Sequence, residues 1–238
     1  RGASGGSLTS VSASASGDVN LEAGDGRLGG AGGRINSATW FGINAATNQP
    51  DAGFAPGGSV EIQGGQGSIG VGAAPRAGAG GSLSRLGGYA GDTGVTQIYA
   101  GDGNGSVAAG RAAPGGSVSN VNLFGGLGVI DLRAGDGGSL TSGSAGRGGA
   151  GGSVSGINGV AGVNLLAVAA GDGGDAGTAG GKGGNGGNVS SLNIFGDIGR
   201  REGSAFGIDG MGGVFAGAGG LTAGADTRLN GKAGNVTN

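Results

Sequence analysis

Residues 115–138 read GGSVSNVNLFGGLGVIDLRAGDGG, residues 151–174 read GGSVSGINGVAGVNLLAVAAGDGG, and residues 186–199 read GGNVSSLNIFGDIG. These are copies of one unit, and a further copy opens at Gly80 with GGSLSRLGG. The starts at Gly80, Gly115, Gly151 and Gly186 lie 35, 36 and 35 residues apart. Weaker copies open at Gly5, Gly32 and Gly57, at intervals of 27, 25 and 23 residues up to Gly80. A period of roughly 20 to 50 residues marks an array of structural repeats, each leaning on its neighbours.

Each full unit has three parts. An apolar run comes first: Val118, Val121 and Leu123; Val154 and Ile157; Val189, Leu192 and Ile194. A short glycine turn leads to a second run: Ile130, Leu132 and Ala134; Val163, Leu165, Ala167 and Ala169. Alternation with β-branched residues reads as half-buried strand. The third part is glycine at every third position, as at Gly171, Gly174, Gly177, Gly180, Gly183 and Gly186. Three residues per turn is the period of the extended left-handed polyproline-II helix, and a glycine edge lets another backbone lie against it. No helical stripe is present, and each glycine would cost a helix about 1 kcal/mol.

The fold expected is therefore all-β: an elongated repeat β-solenoid with Gly-rich, polyproline/polyglycine-II-like segments and about 35 residues per full turn. The strand region Val118–Ala134 and the glycine stretch Gly135–Gly152 would each span about 56 Å if straight. One turn could run out along a β face and return along the glycine face. In an equally simple variant each strand pair folds as a hairpin and the glycine stretch doubles back. Stacking should align Val60, Leu83, Val118, Val154, Val189 and Val236 into one apolar ladder and lay the glycine stretches side by side. The chain reads as one array over residues 1–238: shorter irregular repeats over 1–79, regular ones over 80–199, an insertion-containing one over 200–232, and the start of another at 233–238.

Composition narrows the function. Glycine makes up 70 of 238 residues, yet charged residues are only 12% with net charge −2, and hydrophobic residues reach 36%. That balance opposes disorder. Without Cys or His the chain has no disulfide, no thiolate metal site and no usual general base. The 13 Lys and Arg are scattered, so no nucleic-acid footprint is expected. No apolar run is long enough for a transmembrane helix. The chain opens with Arg1 and shows no signal peptide, the pattern of a mature product or of a piece of a longer protein.

The motif Ala-Gly-Asp recurs at Asp25, Asp92, Asp102, Asp136 and Asp172. The plainer reading is a turn, with Asp bonding its own backbone and the next glycine at positive φ. The sharper reading makes Asp25, Asp102, Asp136 and Asp172 a stacked carboxylate ladder holding Ca²⁺, although one Asp per turn is a thin supply of the six to eight oxygens calcium wants. No other cofactor is implied. Glu22, Glu61 and Glu202 are isolated, and no serine has a base partner, so no enzyme is expected and no catalytic residue is named. Asn104, Asn188 and Asn235 match the glycosylation pattern. Asn188 and Asn235 hold the slot that Ser59, Ser82, Ser117 and Ser153 hold elsewhere, so a small polar turn residue explains them better. The dispersed aromatics Trp40, Phe41, Tyr89, Tyr99, Phe124, Phe195, Phe206 and Phe215 read as core or inter-turn stacking, with a sugar platform as the lesser reading.

The unit GG[SN]V…AGDGG resembles the large Gly-rich repetitive surface proteins of bacteria, including filamentous-haemagglutinin-like β-helical adhesins. The run GGKGGNGGN at 180–188 is similar to the Gly-rich repeats of mycobacterial surface proteins and looks like the polyglycine-II bundles of springtail antifreeze proteins and some phage-tail adhesins. The chain departs from springtail antifreeze in its β-like runs and its lack of disulfides, and from haemagglutinin-type repeats in turn length. The resemblance implies an extracellular, cell-surface structural or adhesive role, with surface glycans among the partners, and carries over no functional residue.

The function expected is a structural protein of an extracellular fibre, whose main partner is itself, in head-to-tail contact. AGNVTN at 233–238 opens a new repeat whose edge would pair with a neighbour or continue into further residues. A calcium- or ice-binding adhesin module is the alternative, and a polysaccharide-active β-helix the second.

Overall fold

The computed structural model describes residues 2–15, 17–44, 49–50, 59–69, 77–89, 95–105, 110–124, 129–141, 146–160, 165–195, 213–222 and 226–237. In chain order the strands are β1 (Leu8–Ala15), β2 (Val19–Glu22), β3 (Ile35–Asn44), β4 (Gln49–Pro50), β5 (Ser59–Gln63), β6 (Leu83–Tyr89), β7 (Val95–Tyr99), β8 (Gly110–Arg111), β9 (Val118–Phe124), β10 (Val129–Arg133), β11 (Gly146–Arg147), β12 (Val154–Val160), β13 (Leu165–Ala169), β14 (Val189–Phe195), β15 (Gly213–Phe215) and β16 (Val236–Thr237). A single short 3-10 turn at Thr227–Leu229 is the only helical element among the described residues.

The protein is all-β and its main sheets are parallel, an arrangement compatible with a β-solenoid. One sheet runs β1-β3-β6-β9-β12-β14-β16, with β4 pairing antiparallel to β3; the other runs β15-β13-β10-β7-β5-β2; β8 and β11 form a small third pair. The two strands of a unit thus enter different sheets. Neither of the two expected paths is followed in full. The strands run out and back without pairing to each other, so they form an arch and not a hairpin. The glycine stretch does double back.

Both sheets close on one apolar core. In the first sheet Leu8, Ile35, Leu83, Val118, Val154, Val189 and Val236 share one register row. Val60 does not join it. Its strand β5 lies in the second sheet beside Val19 and Thr96, and the first sheet steps directly from Ile35 to Leu83. In the second sheet Ile62, Ile98, Leu132 and Val168 share a row and are buried. Each such Val, Leu or Ile side chain contributes about 1.5 to 3 kcal/mol by leaving water.

The run at 163–169 is corrected by one residue. Leu165 pairs with Val129, while Leu166 pairs with Ile130 and Val168 with Leu132. The buried residues are Leu166, Val168 and Ala170, so Ala167 and Ala169 lie on the other face. A slip of one residue exchanges the faces of a strand.

The first-sheet spacing of three residues also has a physical cause. Ser10, Ser37, Arg85, Asn120, Gly156 and Ser191 occupy one position in successive strands, and all have φ between 54° and 66°. One left-handed residue turns the strand, so that Val118 and Val121, or Val154 and Ile157, both reach the core. That conformation costs an ordinary L-residue roughly 1–2 kcal/mol.

Candidate functional site

The most distinctive part of the molecule is its glycine region. After each second-sheet strand the chain runs outward through a leg such as 134–141, and returns through one such as 146–153. Within a leg the backbone N–H groups bond in turn, with a period of three. Ala134 donates to Ala169 at the end of β13, and Gly137 and Leu140 donate to Asp172 and Asp175 of the neighbouring outward leg. Gly135 and Gly138 donate across to Gly116 and Ala113 of a return leg. The N–H of the third position, as at Asp136, has no backbone acceptor and faces away from the return legs.

The cross-bonds link into one path. N–H to carbonyl bonds of 2.7 to 3.1 Å connect Gly6, Gly24, Gly33, Gly65, Gly81, Gly101, Gly116, Gly135, Gly152, Gly171, Gly187, Gly217 and Gly234 in sequence. A second path runs from Gly138 through Gly149, Gly174, Gly184 and Gly220 to Gly231. From Gly33 onward, side chains have no room on these paths. A Cβ on Gly135 would collide with the Gly101 carbonyl, and one on Gly152 with the Gly116 carbonyl.

The outward-facing third position explains the Ala-Gly-Asp motif. The Asp102 carboxylate Oδ1 accepts from the Asp136 N–H at 2.7 Å, Asp136 from Asp172, and Asp172 from Ala218. Earlier in the array Asp25 accepts from the Gln66 N–H, and the Gln66 side-chain carbonyl accepts from Asp102. The aspartates therefore are not local turn residues. The glycines that follow them, Gly26, Gly103, Gly137 and Gly173, are not at positive φ. Each carboxylate caps an N–H of the next leg, 34 to 46 residues away. The Ser/Asn slot does the same on the return legs: Ser82 accepts from the Ser117 N–H, Ser117 from Ser153, Ser153 from Asn188 and Asn188 from Asn235. Asn104 donates to the Gly67 carbonyl.

Of the calcium candidates, Asp102, Asp136 and Asp172 stand in one column, and Gln66 separates them from Asp25. Among the described residues no three Asp or Glu side chains come close enough to hold a metal ion. Asp136 is exposed at the surface, yet partial desolvation by the adjoining legs raises its carboxyl above the ordinary carboxylate value, and the charges of Asp102 and Asp172 add to that, against the lowering effect of the Asp172 N–H. Asp92 lies outside the described residues. An open groove of about 470 Å³ on the outward legs is lined by Gln66, Asp102, Asn104 and Ser139, among others.

A second polar cluster sits on the outer face of the second sheet, and nothing in the sequence pattern singled it out. Tyr99 donates its hydroxyl to Asp131 Oδ2 at 2.8 Å and accepts from Gln97 Nε2. Arg133 pairs with Asp131 at 3.0 Å and lies 5.7 Å from the centre of the Tyr99 ring. Burial and the Asp131 bond push the Tyr99 hydroxyl up to about 12. Register could have found the cluster, since Gln97 pairs with Asp131 and Tyr99 with Arg133. Trp40 is buried in the core; Phe206 lies outside the described residues.

Among the described residues no helix is long and apolar enough to cross a membrane. No protein-family model matches the chain, and comparison with curated proteins and with solved structures finds no match.

Proposed function

We propose that the chain is a structural protein of the cell surface or extracellular matrix, a repeat β-solenoid of about 35 residues per regular turn with polyglycine-II-like legs, which builds or belongs to a fibre. The observation that supports this reading is the glycine path from Gly6 to Gly234, in which every coil receives its neighbour by the same backbone bonds. Addition of a coil needs no new chemistry, because the donors and acceptors repeat. The bonds from a backbone N–H to the side-chain oxygen at the equivalent position of the preceding coil span 35, 36 and 35 residues in the regular part. Where chain is inserted between the strands, the Ser84 hydroxyl reaches Asn36 across 48 residues and the Asn235 N–H reaches the Asn188 side chain across 47.

Growth along the axis would use the sheet edges. Among the described residues β1, β2, β15 and β16 each have one partner strand, and Phe215, Leu221 and Val236 are 61%, 59% and 54% exposed at the last coil. Unpaired edges of this kind recruit other strands. Negative-stain microscopy and sedimentation across a concentration series test the reading. Filaments or length-dependent oligomers are expected, and Phe215→Lys with Val236→Lys should shorten them. A monodisperse monomer at every concentration overturns it.

A further inference from the structure

Charge is segregated between the two layers of glycine legs. Of the described outward legs, 23–26, 100–105, 134–141 and 170–178 carry aspartates, 64–69 and 216–222 carry no charge, and none holds Lys or Arg, the nearest being Arg27 in the link after the first. Of the described return legs, 30–34, 110–117, 146–153, 181–188 and 230–235 each carry one Lys or Arg, 2–6 and 77–82 carry no charge, and none holds Asp or Glu. The charges fall on the third positions, and the bonding directions turn these positions away from the opposite layer. One face of the double layer is therefore acidic and the opposite face basic.

Three consecutive coils make the contrast sharp. Asp102, Asp136 and Asp172 stand in one exposed column, while Arg111, Arg147 and Lys182 stand in register in the other. The three cations make no ion pair among the described residues. Like charges placed in register repel one another. Both columns have the coil rise of a parallel sheet, roughly 4.8 Å. The acidic column of one molecule thus matches the basic column of another, charge for charge.

We propose that two copies of this chain associate side by side, the Asp102–Asp136–Asp172 face of one against the Arg111–Arg147–Lys182 face of the next. The contact is heterologous, so it leaves one acidic and one basic face free and can continue into a sheet or bundle. It is lateral, and independent of contact between coil ends.

The test uses two triple variants of the whole chain. In the first, Asp102→Asn, Asp136→Asn and Asp172→Asn remove the acidic charges but keep the side-chain oxygens that cap the backbone. In the second, Arg111→Gln, Arg147→Gln and Lys182→Gln remove the basic ones. Sedimentation should show lateral association weakened at least tenfold for each variant alone, and restored as pairs in the equimolar mixture. End-to-end contact is unaltered in both variants, so it contributes equally to all four samples, and its absence would leave the lateral pairs of the unaltered chain in place. The unaltered chain supplies a check that needs no variant: its association should fall steeply as salt is raised from about 0.01 to about 1 M, which shortens the Debye length from roughly 30 to roughly 3 Å. Variants that associate like the unaltered chain overturn the proposal. So does loss in the basic-face variant alone, which would indicate an anionic polymer as the partner.

Discussion

The backbone of Gly88 lies against the indole of Trp40, its register partner in the adjoining strand. Trp40 is fully buried, and a Cβ on residue 88 would run into the ring. The row alternates in size, Ala13, Trp40, Gly88, Leu123 and Gly159, so a large side chain finds space above or below it. Gly88→Val should cost about 2–3 kcal/mol, the usual price of overfilling a packed site. Trp40 is the only tryptophan, so its emission reports the site directly and should move to longer wavelength. Gly87→Ala is the control, because its Cβ would meet nothing closer than 3.4 Å. Equal stability of the two variants would refute the packing account.

The glycine path makes a different demand. Gly135 donates to Gly116 and would carry a Cβ into the Gly101 carbonyl, which is backbone and cannot swing aside. Relief requires two adjoining outward legs to part, at a cost of about 3 kcal/mol or more. Gly180 has open space where its Cβ would go. Alanine there should be neutral or stabilise by roughly 0.4–1 kcal/mol through the unfolded chain. Urea unfolding of Gly135→Ala and Gly180→Ala measures the contrast, and similar midpoints would argue against a close-packed glycine layer.

Much of the strand layout was legible because the apolar residues recur with the coil: Val118, Val154 and Val189 do share a row. The face of β13 was not legible, because LLAVAA at 165–170 is apolar on both faces and carries no period-two contrast. Leu166→Asp should therefore unfold the coil, whereas Ala167→Asp should change stability by about 0.5 kcal/mol or less. The capping role of Asp136 was also hidden, since its partner N–H lies 36 residues away and only the leg-to-leg register brings the two together. Local turn chemistry was the nearer explanation, and no local sequence signal argues against it.

The left-handed column offers a gain in stability. Arg85 has φ 56° where Gly156 in its own coil has φ 66°. Arg85→Asn keeps a side chain tolerant of that conformation and should stabilise by about 0.5–1 kcal/mol. Gly156→Val does the reverse, placing a β-branched residue at positive φ for a loss of about 2 kcal/mol. Denaturant midpoints for both decide it, and a destabilised Arg85→Asn protein would show that the arginine is held there by contacts worth more than the strain.

Acid separates two aspartates of opposite sign. The Asp18 carboxyl is held below 3.8 by the Ser59 N–H and hydroxyl. Its contribution is therefore present above the unfolded value and lost as pH falls through the lowered one. Asp136 is raised above 3.8, chiefly by desolvation and then by Asp102 and Asp172. The folded state binds its proton more tightly than the unfolded chain, so stability is fully present below the unfolded value and drains away as pH rises through the raised one. Asp136→Asn keeps the oxygen that accepts from the Asp172 N–H and removes the charge. It should be more stable than the unaltered chain at neutral pH, by about 1 kcal/mol or less given partial solvent screening, with the difference closing in acid. Asp136→Ala also loses the capping bond and should be less stable than Asp136→Asn at every pH, by about 1 kcal/mol. Urea midpoints of the three proteins from about pH 3 to about pH 7 make the comparison. An Asp136→Asn protein no more stable than the unaltered chain at neutral pH would show that the aspartate column carries no unfavourable charge.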